Sequence, residues 1–401
     1  MLQLSFVSFK ANSYIFVEDT PSNDRFFIIQ TGKVSCYHET PIPGSSFKML
    51  GPGDFLGVIP CMSGHSHTET VIASTDVTAI VVRRDQYPEL IVHNTPIALK
   101  IIRYFAREMR FMNDIRAKMT VKKVSASNSA EELFNIAQFY EDKGFDAVAE
   151  YGYYQYLKTA PTGPNAEVAK RRFASLRKKT PVKYLESPPE NIRQYPKENM
   201  IFAEGQAGSD MYIIQEGSVR ITRVIEDDEV TYALLRKGDM FGEMALLDNK
   251  PRSASAVTHE DTKVLVVNAS NFEQMVTSQP SFIARLTQML AERVWSMYRQ
   301  LVNGLLTDQR ERMVDMLALQ IEIMKVPGGK GVPYQTDFTP QDIVNMSGIP
   351  SQNQNMALNQ LYSDQNVKVK NGKINIPDVD ELIKQAAFYR NQQNRRFKSQ
   401  S

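Results

Sequence analysis

The chain contains the same pattern twice, and this repeat constrains the fold more than any other feature of its 401 residues. GDFLGVIPCMSGHSHTETVIASTDVTAIVV, residues 53–82, aligns without a gap to GDMFGEMALLDNKPRSASAVTHEDTKVLVV, residues 238–267. The identical pairs include Gly53/Gly238, Asp54/Asp239, Gly57/Gly242 and Asp76/Asp261. Glycine, aspartate and strand-forming positions that match over so many residues indicate a duplicated domain.

Each copy contains short strands separated by glycine turns. MYIIQEGSVRITRV, for example, is two β-branched or aromatic runs broken at Glu216-Gly217. This regular spacing predicts a β-roll or barrel. A long helix with an apolar stripe follows each copy, and such stripes usually pack against another helix. We therefore expect the two long helices to pair in an internal pseudo-dimer, with a homodimer of the chain as the alternative.

The segment between the copies predicts helices. SAEELFNIAQFYEDKGFDAVAEYGYYQYLKTAP contains two helical patterns with a turn at Lys143-Gly144, and NAEVAKRRFASLRKK adds a third. The first two resemble a single tetratricopeptide hairpin, which cannot form a solenoid without neighbours. We expect the YGYYQYL run to pack against the β-rolls, and a docking surface for a protein partner is the alternative.

Composition excludes few classes of protein. The chain is 42% hydrophobic and 23% charged with a net charge of +2, as soluble globular proteins are, and this balance argues neither for nor against nucleic acid. Cys36 and Cys61 are too few for a disulfide scaffold. We find no signal peptide, no membrane span, no nucleophile–base pair and no paired carboxylates, so we expect no membrane association and no enzyme. His65 and His67 lack a third metal ligand, so no metal is expected.

One stretch of the second copy carries candidate chemistry. FGEMALLDNKPRSASAV, residues 241–257, places Glu243 and Arg252 on either side of an apolar run. A buried carboxylate and a buried guanidinium are costly unless each has a partner. The small residues after the arginine suggest that a ligand approaches the backbone. On their own, Glu243 and Arg252 at this spacing favour a structural Glu–Arg ion pair, and the alternative is a small anionic ligand.

This stretch resembles the phosphate-binding cassette of cyclic nucleotide-binding domains, as found in the CRP/FNR family. The resemblance implies cyclic AMP as the ligand, with cyclic GMP as second choice. Arg252 would bind the phosphate, Glu243 would accept the ribose hydroxyl proton, and the short helical turn would point N–H groups at the anion. In the family two hydroxyl residues of the long helix meet the base, and here only Tyr298 keeps a hydroxyl. The implied ligand-binding residues are Phe241, Gly242, Glu243, Met244, Ala245, Arg252, Ser253, Ala254 and Tyr298.

The first copy lacks this chemistry. Val58 stands where the second copy has Glu243, and His67 stands where it has Arg252. Glu69 lies near the position of Ala254 and would repel a phosphate. We therefore expect the first copy to be a degenerate domain that serves for packing or dimerisation.

The C-terminal region resembles the winged helix-turn-helix of the same family. TPQDIVNMSGIP is the first helix and turn, with Thr339 as N-cap and Gly348 at the turn, and NVKVKNGKINIP is a hairpin wing with Asn371-Gly372 at its tip. No lysine or arginine occurs between residues 331 and 367, although phosphate contacts normally supply much of DNA affinity. The alternative is a winged helix that binds protein or nothing. The candidate DNA-binding residues are Ser351, Gln352, Asn353, Asn355, Lys368, Lys370 and Lys373.

These expectations combine into one α+β architecture. We predict a degenerate cyclic nucleotide-binding-like domain (1–120), a helical linker (121–185), a cyclic nucleotide-binding domain with its long helix (186–306) and a winged helix with a basic tail (307–401). The resemblance implies a cytoplasmic transcription regulator whose partners are a cyclic nucleotide and DNA. The alternatives are a cyclic nucleotide-gated protein-interaction module without DNA binding and a ligand-free scaffold.

Overall fold

The computed structural model describes residues 4–40, 42, 47–120, 129–179, 182–225, 228–248 and 250–400. The chain divides into two compact units. Unit 1 combines Met1–Met119 with Gln274–Ser401, and unit 2 is Thr120–Glu273. The long helix of residues 280–304 lies in unit 1, whereas the sequence-based division grouped it with the second roll. Each unit is described by itself below.

The first roll, in unit 1, consists of eight strands in two antiparallel sheets. The sheet orders are β1-β8-β3-β6 and β2-β7-β4-β5. The elements are β1 (Ser5–Phe9), β2 (Tyr14–Phe16), β3 (Arg25–Thr31), β4 (Val34–Tyr37), β5 (Lys48–Leu50), β6 (Phe55–Leu56), α1 (Val58–Ser63), β7 (Thr70–Ala73) and β8 (Val77–Arg83). Apolar side chains of both sheets meet in one core, in which Phe27, Ile29, Val34 and Val71 are buried.

The second roll, in unit 2, has the same strand order. Its sheets run β14-β11-β16-β9 and β10-β15-β12-β13. The elements are β9 (Ile192–Tyr195), β10 (Met200–Phe202), β11 (Met211–Glu216), β12 (Val219–Ile225), β13 (Asp228–Leu235), β14 (Met240–Phe241), α7 (Glu243–Asp248), β15 (Ser255–Thr258) and β16 (Thr262–Val267). The sequence-predicted break at Glu216-Gly217 separates β11 from β12, as expected.

Matched residues of the repeat perform the same structural tasks in both rolls. Gly32 and Gly217 have φ values of 90° and 79°, and a Cβ on either would lie 2.3 or 2.2 Å from the carbonyl oxygen of Asp76 or Asp261. Only glycine fits both the conformation and the close approach. The side chains of the two aspartates each accept a backbone N–H, at 2.9 and 2.8 Å. The internal repeat is therefore visible in turn geometry as well as in strand order.

Unit 1 also contains three helices around the first roll. They are α2 (Tyr87–His93), α3 (Thr95–Thr120) and α9 (Pro280–Gly304), and α8 (Ala269–Ser278) precedes the last of them. The long helix α9 packs against α1, α10 (Gln309–Ile323) and α2. The hydroxyls of Tyr87 and Thr287 lie 2.9 Å apart in this contact. Helix α3 reaches α9 through a hydrogen bond from Arg116 to Gln300. The two long helices therefore meet at this hydrogen bond, but the main neighbours of α9 are α1 and α10.

Unit 2 begins with three helices that share a core with the second roll. They are α4 (Ser129–Asp142), α5 (Asp146–Thr159) and α6 (Ala166–Lys179). The predicted turn between the first two contains Gly144 at a φ of 80°. The side chains of Tyr151, Tyr153 and Tyr156 are buried in the same core cluster as roll residues such as Met200. The prediction that the tyrosine run packs against a β-roll is confirmed.

The C-terminal part of unit 1 contains four helices and a three-stranded sheet of order β17-β19-β18. The elements are α10 (Gln309–Ile323), β17 (Tyr334–Gln335), α11 (Pro340–Met346), α12 (Ser351–Tyr362), β18 (Lys368–Lys370), β19 (Lys373–Ile376) and α13 (Val379–Gln400). Thr339 caps α11 by accepting the N–H of Asp342 at 3.2 Å, as predicted. Asn371 and Gly372, with φ values of 51° and 74°, form the predicted hairpin turn. Every helix in the described part of the chain is too short or too polar to cross a bilayer.

Candidate ligand-binding site

The cassette of the second roll folds as strand, glycine turn and short helix. β14 ends at Phe241, Gly242 follows with a φ of 77°, and α7 begins at Glu243. A Cβ on Gly242 would lie 2.8 Å from Nη1 of Arg252 and 3.0 Å from the carbonyl oxygen of Asp210. Glycine therefore serves two purposes here, since it adopts the left-handed conformation and lets the arginine pass close to the backbone.

The guanidinium of Arg252 is buried and held from two sides. Its side chain is only 6% exposed. Nη1 donates to the carbonyl oxygen of Gly242 at 2.7 Å, and Cζ lies 4.2 Å from the ring centroid of Phe202. Nε is buried and has no hydrogen-bond partner among the described residues. A buried donor without an acceptor is costly, so the site is suited to a ligand that supplies acceptor oxygens.

A second glycine completes the space around the guanidinium. A Cβ on Gly208 would lie 2.7 Å from Nη2 of Arg252 and 2.9 Å from its Nε. Any side chain at position 208 would therefore displace the arginine. The sequence analysis did not identify Gly208 or Phe202 as site residues. Their signal is weak, because a glycine and an aromatic residue upstream of the cassette look like ordinary turn and strand positions.

The other predicted cassette residues gather around the same turn. Glu243 is 1% exposed, so both the carboxylate and the guanidinium point into the protein rather than outward. Ala245 and Ala254 are buried, and Ser253 Oγ lies 3.5 Å from Sδ of Met244. The structure thus brings together eight of the nine predicted ligand-binding residues within unit 2.

Tyr298 is the ninth predicted ligand-binding residue, and it lies in unit 1. It is 3% exposed, and its hydroxyl donates to Oε1 of Glu18 at 2.7 Å. Its ring stacks on His38 with 5.2 Å between centroids. Next to it, Trp295 stacks on His65 at 3.6 Å. The base-contacting role of Tyr298 stays a prediction, and the contacts in unit 1 already occupy its hydroxyl and ring.

Comparison with known proteins identifies the two rolls. Residues 6–94 and 192–279 both match the family described as "Cyclic nucleotide-binding domain". Both rolls are therefore similar to cyclic nucleotide-binding domains. It is 25% identical over 193 residues to a CRP-like cAMP-activated global transcriptional regulator of Mycobacterium tuberculosis, a match that covers 48% of this chain and 86% of the relative.

Two further similarities involve proteins of Thermus thermophilus. The cyclic AMP receptor protein of this bacterium is 39% identical over 103 residues, which cover 25% of this chain and 48% of the relative. The chain therefore spans about half the length of that relative. A solved CRP/FNR-family transcriptional regulator from the same species matches with a TM-score of 0.39 and 21% identity, covering 49% of this chain and 98% of the other. The two relatives are described as a transcriptional regulator and as a receptor protein.

In the first roll, aromatic side chains pack where the sequence repeat aligns His67 with Arg252. The ring of His67, which replaces the arginine, stacks on Phe16 with 4.1 Å between centroids. A Cβ on Gly57 would lie 2.7 Å from the Phe16 ring. The remaining cavity measures about 10 Å³ and is lined by residues that include Glu69 and Tyr104. A cavity of this size holds no more than one water molecule.

His65, two residues before His67, contacts an acidic and an aromatic side chain. Nε2 of His65 lies 3.4 Å from Oε1 of Glu292, and the ring stacks on Trp295. Among the described residues, no group of three or more His, Cys, Asp and Glu side chains could hold a metal ion. His65 is therefore engaged in packing and an ion-pair contact.

We expect the stability of the first roll to depend on pH through His67. Burial lowers the pKa of His67 to about 4. An unfolded chain binds the same proton near pH 6.5. Between these two pH values the unfolded state binds more protons than the folded state. The free energy of unfolding therefore has its full value above about pH 6.5 and decreases as the pH falls towards 4. At pH 5.0 we expect this decrease to be on the order of 2 kcal/mol.

The measurement is urea unfolding of the wild type and of His67→Gln at pH 7.5 and 5.0. The glutamine does not titrate, so the difference in unfolding free energy between the two proteins should shrink or reverse at the lower pH. An equal pH dependence in both proteins would show that His67 does not carry this effect.

The candidate DNA-binding residues lie on helix α12 and on the β18–β19 hairpin of unit 1. Ser351, Gln352 and Asn355 are exposed on α12, and Asn353 is half-buried there. On the β18–β19 hairpin the side chains of Lys368 and Lys370 are exposed. Lys373 is half-buried, and its ammonium donates to the carbonyl oxygen of Asp337. Two of the three predicted lysines are therefore available to a phosphate without breaking a contact.

Proposed function

We propose that this chain is a cyclic nucleotide-responsive transcription regulator, with cyclic AMP as the first choice of ligand and cyclic GMP as the second. The observation that carries the proposal is the buried guanidinium of Arg252, whose Nε has no partner among the described residues. A cyclic phosphate would supply both the negative charge and the acceptor oxygens that this group lacks. The similarity to cAMP-activated and cyclic AMP receptor proteins supports the choice of ligand.

The cassette residues suggest a division of tasks. Arg252 would bind the phosphate, and the N–H groups at the start of α7 would add to its binding. The buried carboxylate of Glu243 would accept the ribose hydroxyl proton. Ser253 would donate its hydroxyl to a phosphate oxygen. The small residue Ala254 and the turn at Gly242 would leave room for the sugar and phosphate.

The first cyclic nucleotide-binding domain would serve as a packing partner rather than as a sensor. The Phe16–His67 ring pair occupies the position where the second domain has its guanidinium. The long helix α9 packs on α1 and α2 of this domain. The hydrogen bond between Arg116 of α3 and Gln300 of α9 is the contact that supports an internal pseudo-dimer, and the homodimer stays the alternative.

DNA would be bound by residues 307–401 in the manner of a winged helix. The face of α12 offers amide side chains, which pair with adenine in the major groove. Lys368 and Lys370 on the hairpin would contact phosphates. In this scheme the ligand shifts the protein towards a DNA-competent state. A regulator of this type would act in the cytoplasm, and the helical segment 121–185 would lie between its two rolls in the chain.

A mobility-shift titration tests this function. Full-length protein and random-sequence duplex DNA should form a complex at about 50 mM salt that weakens steeply as salt increases. Cyclic AMP should strengthen the complex, because the ligand and DNA favour the same state. A complex of identical strength with and without cyclic AMP and cyclic GMP would contradict the proposal.

One observation favours a second function, a cyclic nucleotide-gated protein-interaction module. The exposed face of α12 carries no charge, and Met356 on it is 53% exposed. Apolar exposure of this kind is more typical of a protein interface than of a phosphate-binding surface. Capture of a protein partner that persists after removal of Arg395, Arg396 and the hairpin lysines would favour this alternative.

A further inference from the structure

The segment that presents Arg252 is fixed by a pair of backbone hydrogen bonds. The N–H of Arg252 donates to the carbonyl oxygen of Gln206 at 2.9 Å, and the N–H of Gly205 donates to the carbonyl oxygen of Arg252 at 2.9 Å. Because these bonds run in both directions, the position of residues 205–206 sets the position of the arginine. The loop 203–206 is therefore part of the ligand site, although it carries none of the predicted ligand contacts.

The side chain of Gln206 holds this loop in place. Its Oε1 accepts the N–H of Ala203 at 3.0 Å and the hydroxyl of Tyr151 at 3.1 Å. The same hydroxyl lies 3.3 Å from the carbonyl oxygen of Ile201 at the end of β10. Burial raises the pKa of Tyr151, so its hydroxyl keeps the proton that it donates at neutral pH. The phenol has one proton to donate, and Gln206 Oε1 at 3.1 Å is the nearer acceptor, so the bond ties α5 to the loop that determines where Arg252 lies.

Tyr151 is not a residue of the roll. It belongs to α5, and α4 and α5 pack so closely that a Cβ on Gly152 would lie 2.9 Å from Cβ of Ala137. The tyrosine is 4% exposed, and it shares a core cluster with Ala203 of the loop and Val257 of β15. The helical hairpin therefore offers a rigid platform from which the hydroxyl reaches the loop.

We propose that Tyr151 is a positioning residue for the cyclic nucleotide site. Through Gln206 it holds the loop that is bonded to Arg252, so the inserted helical hairpin is a working part of the sensor rather than a linker between domains. This inference rests on the proposed ligand site, and it assigns to the hairpin a function that the tetratricopeptide resemblance does not imply.

Tyr151→Phe removes only the hydroxyl and tests the proposal. We expect the affinity for cyclic AMP, measured by calorimetry on the full chain, to fall by about 5- to 10-fold, as loss of one buried hydrogen bond predicts. The matched control is Tyr140→Phe on the same hairpin, whose hydroxyl lies 3.1 Å from Oγ1 of Thr222 and away from the loop. It should change thermal stability to a similar extent while leaving the affinity unchanged.

Two readouts separate positioning from a general loss of stability. The double variant Tyr151→Phe/Gln206→Ala should bind cyclic AMP no more weakly than Gln206→Ala alone, because the hydroxyl acts through that side chain. Without any ligand, amide hydrogen exchange at Gly205 and Arg252 should be faster in Tyr151→Phe than in wild type or Tyr140→Phe. The amide of His259, bonded elsewhere in the roll, serves as the reference.

The outcomes distinguish this proposal from the proposed function. Unchanged exchange at both amides, or an equal loss of affinity in Tyr151→Phe and Tyr140→Phe, would overturn the positioning role. Faster exchange in a protein that binds neither cyclic AMP nor cyclic GMP would support the structural link and would refute the ligand assignment instead.

Discussion

Arg252→Ala is expected to weaken cyclic AMP binding by at least about 30-fold, since loss of a buried charged partner costs about 2–5 kcal/mol. The guanidinium is 6% exposed and is held by the Gly242 carbonyl and the Phe202 ring. It is therefore preorganised, and little of its binding energy is spent on ordering the side chain. Arg252→Lys should lose less, because it keeps the charge but not the two-pronged geometry. Calorimetry on the full chain measures both variants.

The matched control is His67→Ala, the substitution at the equivalent position of the first domain. It should leave the affinity for cyclic AMP unchanged, because the alanine removes no group that would bind the phosphate. Thermal unfolding followed by circular dichroism shows whether each variant is folded. Wild-type affinity in a folded Arg252→Ala would contradict the assignment of the phosphate site.

Lys368→Gln/Lys370→Gln is expected to reduce DNA affinity by about 100-fold at low salt, with the slope of log K against log salt reduced by about 2. Both lysines are exposed on the hairpin and neither forms an ion pair with a described residue. The variant makes fewer phosphate contacts, so it should release fewer counterions when it binds DNA. Lys373 is left unchanged, because its ammonium is bonded to the carbonyl oxygen of Asp337. Fluorescence anisotropy over a salt series measures the slope.

The control for charge alone is Lys10→Gln/Lys33→Gln on the first roll, which removes the same two charges from a different surface. For this control variant, the slope of log K against log salt should stay close to that of the wild type. If the control reduces affinity as much as the hairpin variant does, DNA binding is a property of net charge and not of the proposed interface.

The sequence predicted most of the cassette because its signals are local. Gly242 is needed for a left-handed turn, and Glu243 and Arg252 take their places from the strand, helix and strand that follow one another in the chain. The same holds for the Thr339 cap and the Asn371-Gly372 turn. Features of this kind depend on residues within a few positions of each other, so a single sequence is sufficient to identify them.

The contacts of Tyr298 and Tyr151 could not be predicted in this way. The periodicity of α9 shows that it has an apolar face, but not which roll that face meets. The periodicity therefore did not indicate that the hydroxyl of Tyr298 donates a hydrogen bond to Glu18, about 280 residues earlier in the chain. Tyr151 lies in a tyrosine run that is typical of a core, and nothing local separates a tyrosine that packs from one that donates to Gln206. Long-range partners of this kind need the folded structure.

The most direct test of the whole account is the stoichiometry of cyclic AMP binding to the full-length chain by isothermal titration calorimetry. We predict one molecule per chain, bound only where Arg252 faces the turn at Gly242. Two molecules per chain would show that the first domain also binds ligand despite its Phe16–His67 pair. An absence of heat with both cyclic AMP and cyclic GMP would contradict the sensor itself.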